Sequence, residues 1–320
     1  GSFRYQPPSG NLALCSENLP TPAIEDPGKH VKAITYSPKA EGVNKVTGLG
    51  FKPDLVVLKS RMYAEDFQCT DSVRGATWSL QWNNNGSEDA HPTGLMSFDN
   101  DGFTVGNLSD YAYDGDHLVA WCWKAGNKTI NNEDGTIQSK VSVNKDAGFS
   151  IVSYTGSGTV SDTVGHGLGR IPRMIIVKER GGTSQWQIKV ASMATNNAVL
   201  FTTGSQQDVT SDFAAGGLGA LDNRLTFDFL AGHGGHANNV NESGNPMIAY
   251  CWTDVPGFSK FGSYLGTGGV NGPMIDCGFK PAIVMMKQLT SGSRGWAIKD
   301  NARNTQNPVN KSLFPNVTTV

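Results

Sequence analysis

The sequence predicts an all-β chain built from tandem antiparallel β-sandwiches, jelly-roll-like and about 100 residues each. A stretch that occurs three times is the first of three observations behind this prediction. Leu49-Gly50-Phe51-Lys52-Pro53-Asp54-Leu55-Val56-Val57-Leu58-Lys59 returns as Leu168-Gly169-Arg170-Ile171-Pro172-Arg173-Met174-Ile175-Ile176-Val177-Lys178. It returns again as Cys277-Gly278-Phe279-Lys280-Pro281-Ala282-Ile283-Val284-Met285-Met286-Lys287. The second observation is composition: charged residues are 17%, Gly is 39 of 320, and no long amphipathic helical pattern is visible. Such a chain makes turns and short strands. The third is local alternation, as in Val31-Lys32-Ala33-Ile34-Thr35-Tyr36, which marks a half-buried strand.

Each residue of the repeated stretch has a physical reason. Gly permits a tight turn. Pro fixes φ and lacks a donor, so it belongs at the entry to a strand. The apolar run reads as a strand buried on both faces. The closing Lys is expected to carry the chain back into water. Roughly 110 to 120 residues separate successive copies, the size of a small domain rather than of a solenoid unit. The copies are therefore expected to be separate domains strung like beads.

In chain order, residues 1–29 read as an irregular connector from a preceding domain, with a Pro-rich, extended stretch at Leu19–Gly28. Residues 30–126 form the first sandwich. Within it, Ser97–Gly106 reads as two strands joined by an Asn/Asp-Gly turn, and Leu118–Lys124 closes the unit. Residues 127–146 read as a polar linker. Residues 147–256 form the second sandwich, closed by Met247-Ile248-Ala249-Tyr250-Cys251-Trp252. Residues 257–320 form a partial third, without a closing Trp-Cys-Trp strand. A half-sandwich with unpaired edges is not expected to be stable alone, so either the polypeptide continues or neighbouring chains complete the sheet. An aromatic follows each closing Lys by eight or nine residues, at Phe67, Trp186 and Trp296. Asp71 and Asp300 lie four residues beyond, where the second repeat has Val190. That Asp therefore has a structural or repeat-specific role.

Net charge is −2, which gives no basic footprint for nucleic acid or anionic membrane. No apolar run approaches the roughly 18–20 residues of a membrane span. The five cysteines, Cys15, Cys69, Cys122, Cys251 and Cys277, show neither CxxC spacing nor a disulfide framework. They read as buried thiols assembled in a reducing cytosol.

Several motifs together resemble the tandem repeats of tail-fibre-like virion proteins of tailed bacteriophages. Such repeats are associated with SPRY-like domains and common in phages of marine and freshwater bacteria. The resemblance rests on Gly50–Lys59, Asp71-Ser72-Val73-Arg74-Gly75-Ala76, Ser97–Gly106 and Ala120-Trp121-Cys122-Trp123-Lys124-Ala125-Gly126, in that order. The opening Tyr5-Gln6-Pro7-Pro8-Ser9-Gly10 with Leu19–Pro27 is similar to the segment that follows a SPRY-like sandwich. The resemblance implies a non-enzymatic virion component, a tail fibre or related appendage segment contributing to host attachment. It implies assembly in the host cytoplasm, a homotrimer, contacts to other tail or head proteins, and a host glycan or protein receptor. It carries no catalytic residues and no cofactor. A fibre-borne polysaccharide depolymerase and a head- or neck-decorating protein are the alternatives.

Candidate chemistry beyond the resemblance is sparse. His233-Gly234-Gly235-His236 with His166 lacks a convincing third ligand for zinc or nickel. Asp99-Asn100-Asp101-Gly102 and Asn132-Glu133-Asp134-Gly135 suit turns and lack the closing Glu of a calcium loop. Asp99/Asp101 and Asp114/Asp116 are carboxylate pairs in turns. No Gly-x-Ser-x-Gly elbow or phosphate loop is present. Aromatics that recur between repeats read as core. Those confined to the first repeat, Tyr63, Trp78, Trp82, Tyr111 and Tyr113, are the candidates for glycan or receptor contact, because they fall in or near loops.

Overall fold

The computed structural model describes residues 23–39, 41–202, 204–211, 216–232, 238–269, 271–290 and 294–319. The chain is 36% strand and 4% helix, in antiparallel sheets with no closed barrel. The all-β expectation holds.

The first repeat runs β1 (Val31–Tyr36), β2 (Asn44–Thr47), β3 (Leu55–Ser60), β4 (Gln68–Asp71), β5 (Trp78–Gln81), β6 (Asp89–Ala90), β7 (Leu95–Asp99), β8 (Gly102–Val105), the one-turn helix α1 (Ser109–Ala112) and β9 (Leu118–Trp123). Its large sheet has the order β1-β9-β3-β4-β5-β6, and β2-β8-β7 forms the small one. The predicted hairpin is β7–β8, with Asp99 opposite Gly102.

The second repeat runs β10 (Ile130–Asn132), β11 (Ser139–Asn144), β12 (Phe149–Thr155), β13 (Thr163–Gly165), β14 (Met174–Glu179), β15 (Gln187–Val190), β16 (Asn197–Leu200), β17 (Gln207–Asp208), β18 (Gly217–Leu218), β19 (Thr226–Leu230), α2 (Asn238–Asn241) and β20 (Pro246–Trp252). Its large sheet has the order β10-β11-β12-β20-β14-β15-β16-β17, and β13-β19-β18 is the small one. The stretch 127–146 is therefore not a linker. Its β10 and β11 extend the second repeat's sheet, β11 pairing with β12 from Ser139↔Tyr154 to Asn144↔Phe149. Val141 is buried there, and the polar residues around it had masked a two-strand pattern.

The apolar runs of the first two copies are buried on both faces, as read, and period-2 alternation sorts their side chains, whereas that of the third copy is only half-buried. On β3, Val56 and Leu58 point into the first sandwich with Phe103 and Ala120. On β14, Ile175 and Val177 point into the second with Phe227 and Ala249. The opposite faces do not look outward. Leu55, Val57 and Trp121 join Ile176, Ile188 and Tyr250, together with Trp296, Ile298 and Leu313, in one continuous core. The repeats are thus not separate beads; they pack side by side on a shared interior, because each large sheet is apolar on its outer face too.

Hydrogen bonds repeat around that interior in one direction. Trp186 Nε1 donates to Gln81 O at 2.7 Å, from the second repeat to the first. Trp296 Nε1 donates to Leu200 O at 2.7 Å, from the third to the second. The acceptors are equivalent, since Gln68↔Gln81 and Gln187↔Leu200 are the matching pairs of the two sheets. A second set uses the centre of the closing strands. Tyr250 OH donates to Asp71 Oδ2 at 2.8 Å, second repeat to first. Trp121 Nε1 donates to Asp300 Oδ2 at 3.1 Å, first repeat to third. The three repeats close a ring.

The Asp residues singled out by position serve this ring. Asp71 holds Arg74 Nε at 2.5 Å with both side chains fully buried, and Asp300 holds Arg303 in the same i,i+3 arrangement at 2.6 Å. Val190 and Met193 occupy the equivalent places in the second repeat and pack against the shared core.

The third repeat contributes β21 (Ile283–Met286) and β22 (Ala297–Asp300), paired antiparallel. The motif glycines keep one backbone conformation in all three copies: φ is 80°, 68° and 75° at Gly50, Gly169 and Gly278, a region costly for any residue with a Cβ. The motif lysines depart from expectation. Lys59 and Lys178 are fully buried. Lys59 Nζ donates to Ser60 O and Tyr63 O, and Lys178 Nζ to Glu179 O and Gly182 O. Each ties down the loop that follows its strand instead of entering water. Burial pulls both ammonium groups down to about 8.

Candidate ligand-contact site

The five repeat-specific aromatics separate into two groups. Trp82 is 2% exposed and stacks on Phe201 at a centroid distance of 4.9 Å. Tyr111 is fully buried in the first sandwich. Both are packing residues, a correction to their reading as ligand contacts. Trp82 turns inward onto Phe201, and Tyr111, on the one-turn helix α1, points its hydroxyl at Gln68 Oε1. Trp78 is exposed on β5, opposite Ala90 of β6 and apart from the tyrosine pair.

Tyr63 and Tyr113 are exposed and meet edge to face at 4.8 Å, with the rings inclined at 61°. Tyr63 stands in the loop after β3, and Lys59 holds that loop through Tyr63 O at 2.9 Å. Ser60 Oγ accepts the Met62 and Tyr63 N–H groups at its start. Tyr113 follows α1, whose buried Tyr111 and Ala112 fix it to the sandwich. The pair is therefore presented by two anchored loops, 50 residues apart in sequence.

Glu65 follows Tyr63 by two residues, and Asp110 precedes Tyr113 by three. Glu65 shares a side-chain hydrogen bond with Asp110, and Gln68 Nε2 also donates to Asp110. The Asp110 hydrogen bond, then burial, then the Asp110 charge push Glu65 up to about 7; Lys59 opposes the rise and Asp66 adds to it. The arrangement suits contact with a hydroxyl-rich ligand: aromatic rings to cover C–H surface, acceptors and donors at the rim. Sequence reading missed Glu65 and Asp110 because neither stands in a motif.

The Glu65–Asp110 contact sets a pH dependence. A carboxyl whose folded value lies above its ordinary one stabilises the fold at acid pH and loses that contribution as pH rises through about 7. The loop carrying Tyr63 is expected to exchange amide protons faster at pH 8 than at pH 5.5, after correction for intrinsic exchange. In Glu65→Gln the difference is expected to vanish.

The other candidates resolve into structure. Asp101 accepts the Gly48 and Gly50 N–H groups at 3.0 and 2.5 Å, and Asp99 accepts the Ser97 and Thr104 hydroxyls. Asp134 and Asn132 hydrogen-bond each other across their turn. Asp116 is buried and accepts the His117 N–H. His166 is buried and pulled down to about 4 by that burial. Its Nδ1 accepts from Leu168 N–H, which leaves the proton on Nε2, facing Asn223 O at 3.4 Å. His233 and His236 lie outside the described residues, as does Cys15. Cys69, Cys122 and Cys251 are buried free thiols raised by burial, whereas Cys277 is only half-buried.

Two clefts of about 440 and 380 Å³ open on the surface. The first lies between His30, Lys124 and Asn144. The second is rimmed by Asn83, Asn84, Asn85 and Gln185 beside Phe201. Among the described residues no group of three or more His, Cys, Asp or Glu is placed to hold a metal ion. No helix among them is long and apolar enough to cross a membrane.

No curated protein and no solved structure matches this chain. One family model does, over residues 26–320, and so spans all three repeats and the ring they form. The chain belongs to the family described as Domain of unknown function (DUF7483).

Proposed function

We propose that this chain is a structural, non-enzymatic segment of a tailed-phage virion, set in a tail fibre or related appendage and contributing to host attachment. The observation that carries the reading is the ring of three repeats on one shared core. Such a body is stiff and extensively cross-braced, and its interior is committed to packing rather than to a reaction cleft. The motif resemblance supplies the virion context. The anchored Tyr63–Tyr113 pair supplies a surface for a host glycan. The homotrimer implied by the resemblance belongs to the same proposal. It predicts a solution mass near three times 34.1 kDa.

Antibody against the chain, imaged on intact virions, tests the placement. Label on fibres or other tail appendages is the expected result; label confined to the head would instead make it a decorating protein. Attachment is tested with the purified chain on host cells. Tyr63→Ala with Tyr113→Ala is expected to weaken binding at least roughly tenfold, since stacking on an aromatic contributes about 1–3 kcal/mol at binding hot spots. The melting temperature should stay put, because both rings are exposed. Release of reducing ends from host polysaccharide by the chain would replace this reading with a depolymerase.

A further inference from the structure

The central strand of each large sheet has two neighbours in the first two repeats. β3 pairs with β4 on one side and β9 on the other, and β14 with β15 and β20. Its counterpart β21 pairs with β22, and among the described residues its second edge pairs with nothing. Asn301 N–H donates to Ala282 O, so strand alternation turns the N–H and C=O of Ile283 and Met285 toward that second edge. β9 also pairs with β1, and β20 with β12. The third repeat carries the counterpart of β12 in Gly257-Phe258-Ser259 and the residues after it. There Tyr264 OH lies 3.9 Å from Met286 Sδ, while Tyr264 and Leu265 are 54% and 90% exposed.

We propose that the edge of β21, with the segment 258–265 beside it, accepts one extended peptide strand antiparallel to β21, with a purely apolar side chain opposite Met285. The ring dictates that chemistry. Trp121 lies opposite Val57, and Tyr250 opposite Ile176, the positions equivalent to Met285. Each sends its polar tip to the preceding repeat in the ring, Trp121 to Asp300 and Tyr250 to Asp71. For a strand on the third repeat the preceding repeat is the second, where Val190 and Met193 stand in place of Asp and Arg. A hydroxyl or indole N–H aimed there would be buried without an acceptor. The surface is continuous with the shared core, which already runs through Trp296, Ile298 and Leu313. An apolar strand would extend that packing by β-addition.

The test adds two synthetic peptides to the 320-residue chain. Both carry the Pro246–Trp252 sequence with Cys251→Ser; one keeps the tyrosine and the other carries Tyr250→Phe. Amide exchange at Ile283 and Met285 is expected to slow at least roughly tenfold with the Phe peptide, which should bind roughly tenfold more tightly than the Tyr peptide. In a Val190→Asp, Met193→Arg chain the order should reverse. The Phe peptide N-methylated at the position opposite Met285 loses the donor that the Met285 C=O would receive and should not bind the unaltered chain. No slowing at Ile283 and Met285 with either peptide overturns the proposal, as does the same peptide preference in both chains. Slowing that needs no peptide and grows with protein concentration would assign the edge to a second copy and overturn the proposed occupant.

Discussion

Asp71→Val is expected to destabilise the chain by about 3–5 kcal/mol, the cost of leaving a buried charge without its partner. The Asp71 carboxylate receives Arg74 Nε, the Tyr250 hydroxyl and the N–H groups of Val73 and Arg74, all in the interior. Its removal leaves the buried Arg74 guanidinium with only the longer pair to Glu88, at 3.6 Å. The second repeat shows how the same place is built without charge, with Val190 and Met193. The triple variant Asp71→Val, Arg74→Met, Tyr250→Phe is therefore expected to recover most of the loss, since apolar replacement of a whole buried network is often close to neutral. Urea midpoints of wild type, single and triple variants check this. A single variant with an unchanged midpoint would show that the ring is not held by this pair.

Trp186→Ala is expected to cost about 3–5 kcal/mol, the range for deleting a large buried aromatic. The ring is fully buried, stacks near-parallel on Tyr250 at 6.4 Å and meets Phe201 edge to face at 6.1 Å. It also ties the second repeat to the first through Gln81 O. Trp186→Phe keeps the packing and loses that bond, so about 1 kcal/mol is expected; Phe67 already fills the equivalent place in the first repeat. Amide exchange should rise in β5 and β15 together. A rise confined to the second repeat would argue against the shared core, because it would show that the first repeat does not depend on this contact.

The repeats, their central and closing strands and the residues at strand entry were legible in the sequence, whereas β10 and β11 were not. Gly50, Gly169 and Gly278 precede a Pro at constant spacing, and a turn of positive φ before a strand is a local requirement that leaves a local mark. The apolar runs of the first two copies also announced burial on both faces. The candidate site was half legible. A loop position found Tyr63 and Tyr113, but the same rule selected Tyr111 and Trp82, which turn inward. A single aromatic in a loop has no periodicity to state which way it faces. Glu65 and Asp110 were invisible because 45 residues separate them.

The sequence by itself determined an all-β chain, its three repeats, the alternation along each central strand, and the odd place of Val190 among the Asp positions. Only the tertiary structure decided what covers the outer face of each large sheet. A period of two says that a face is apolar; it is silent on whether solvent, a ligand or a neighbouring repeat lies against it. The same holds for Lys59 and Lys178. Whether a terminal Lys reaches water or loops back to backbone carbonyls depends on the path of the next loop over it. Contacts such as Trp121 to Asp300 join residues 179 positions apart, and no local pattern encodes a partner at that distance.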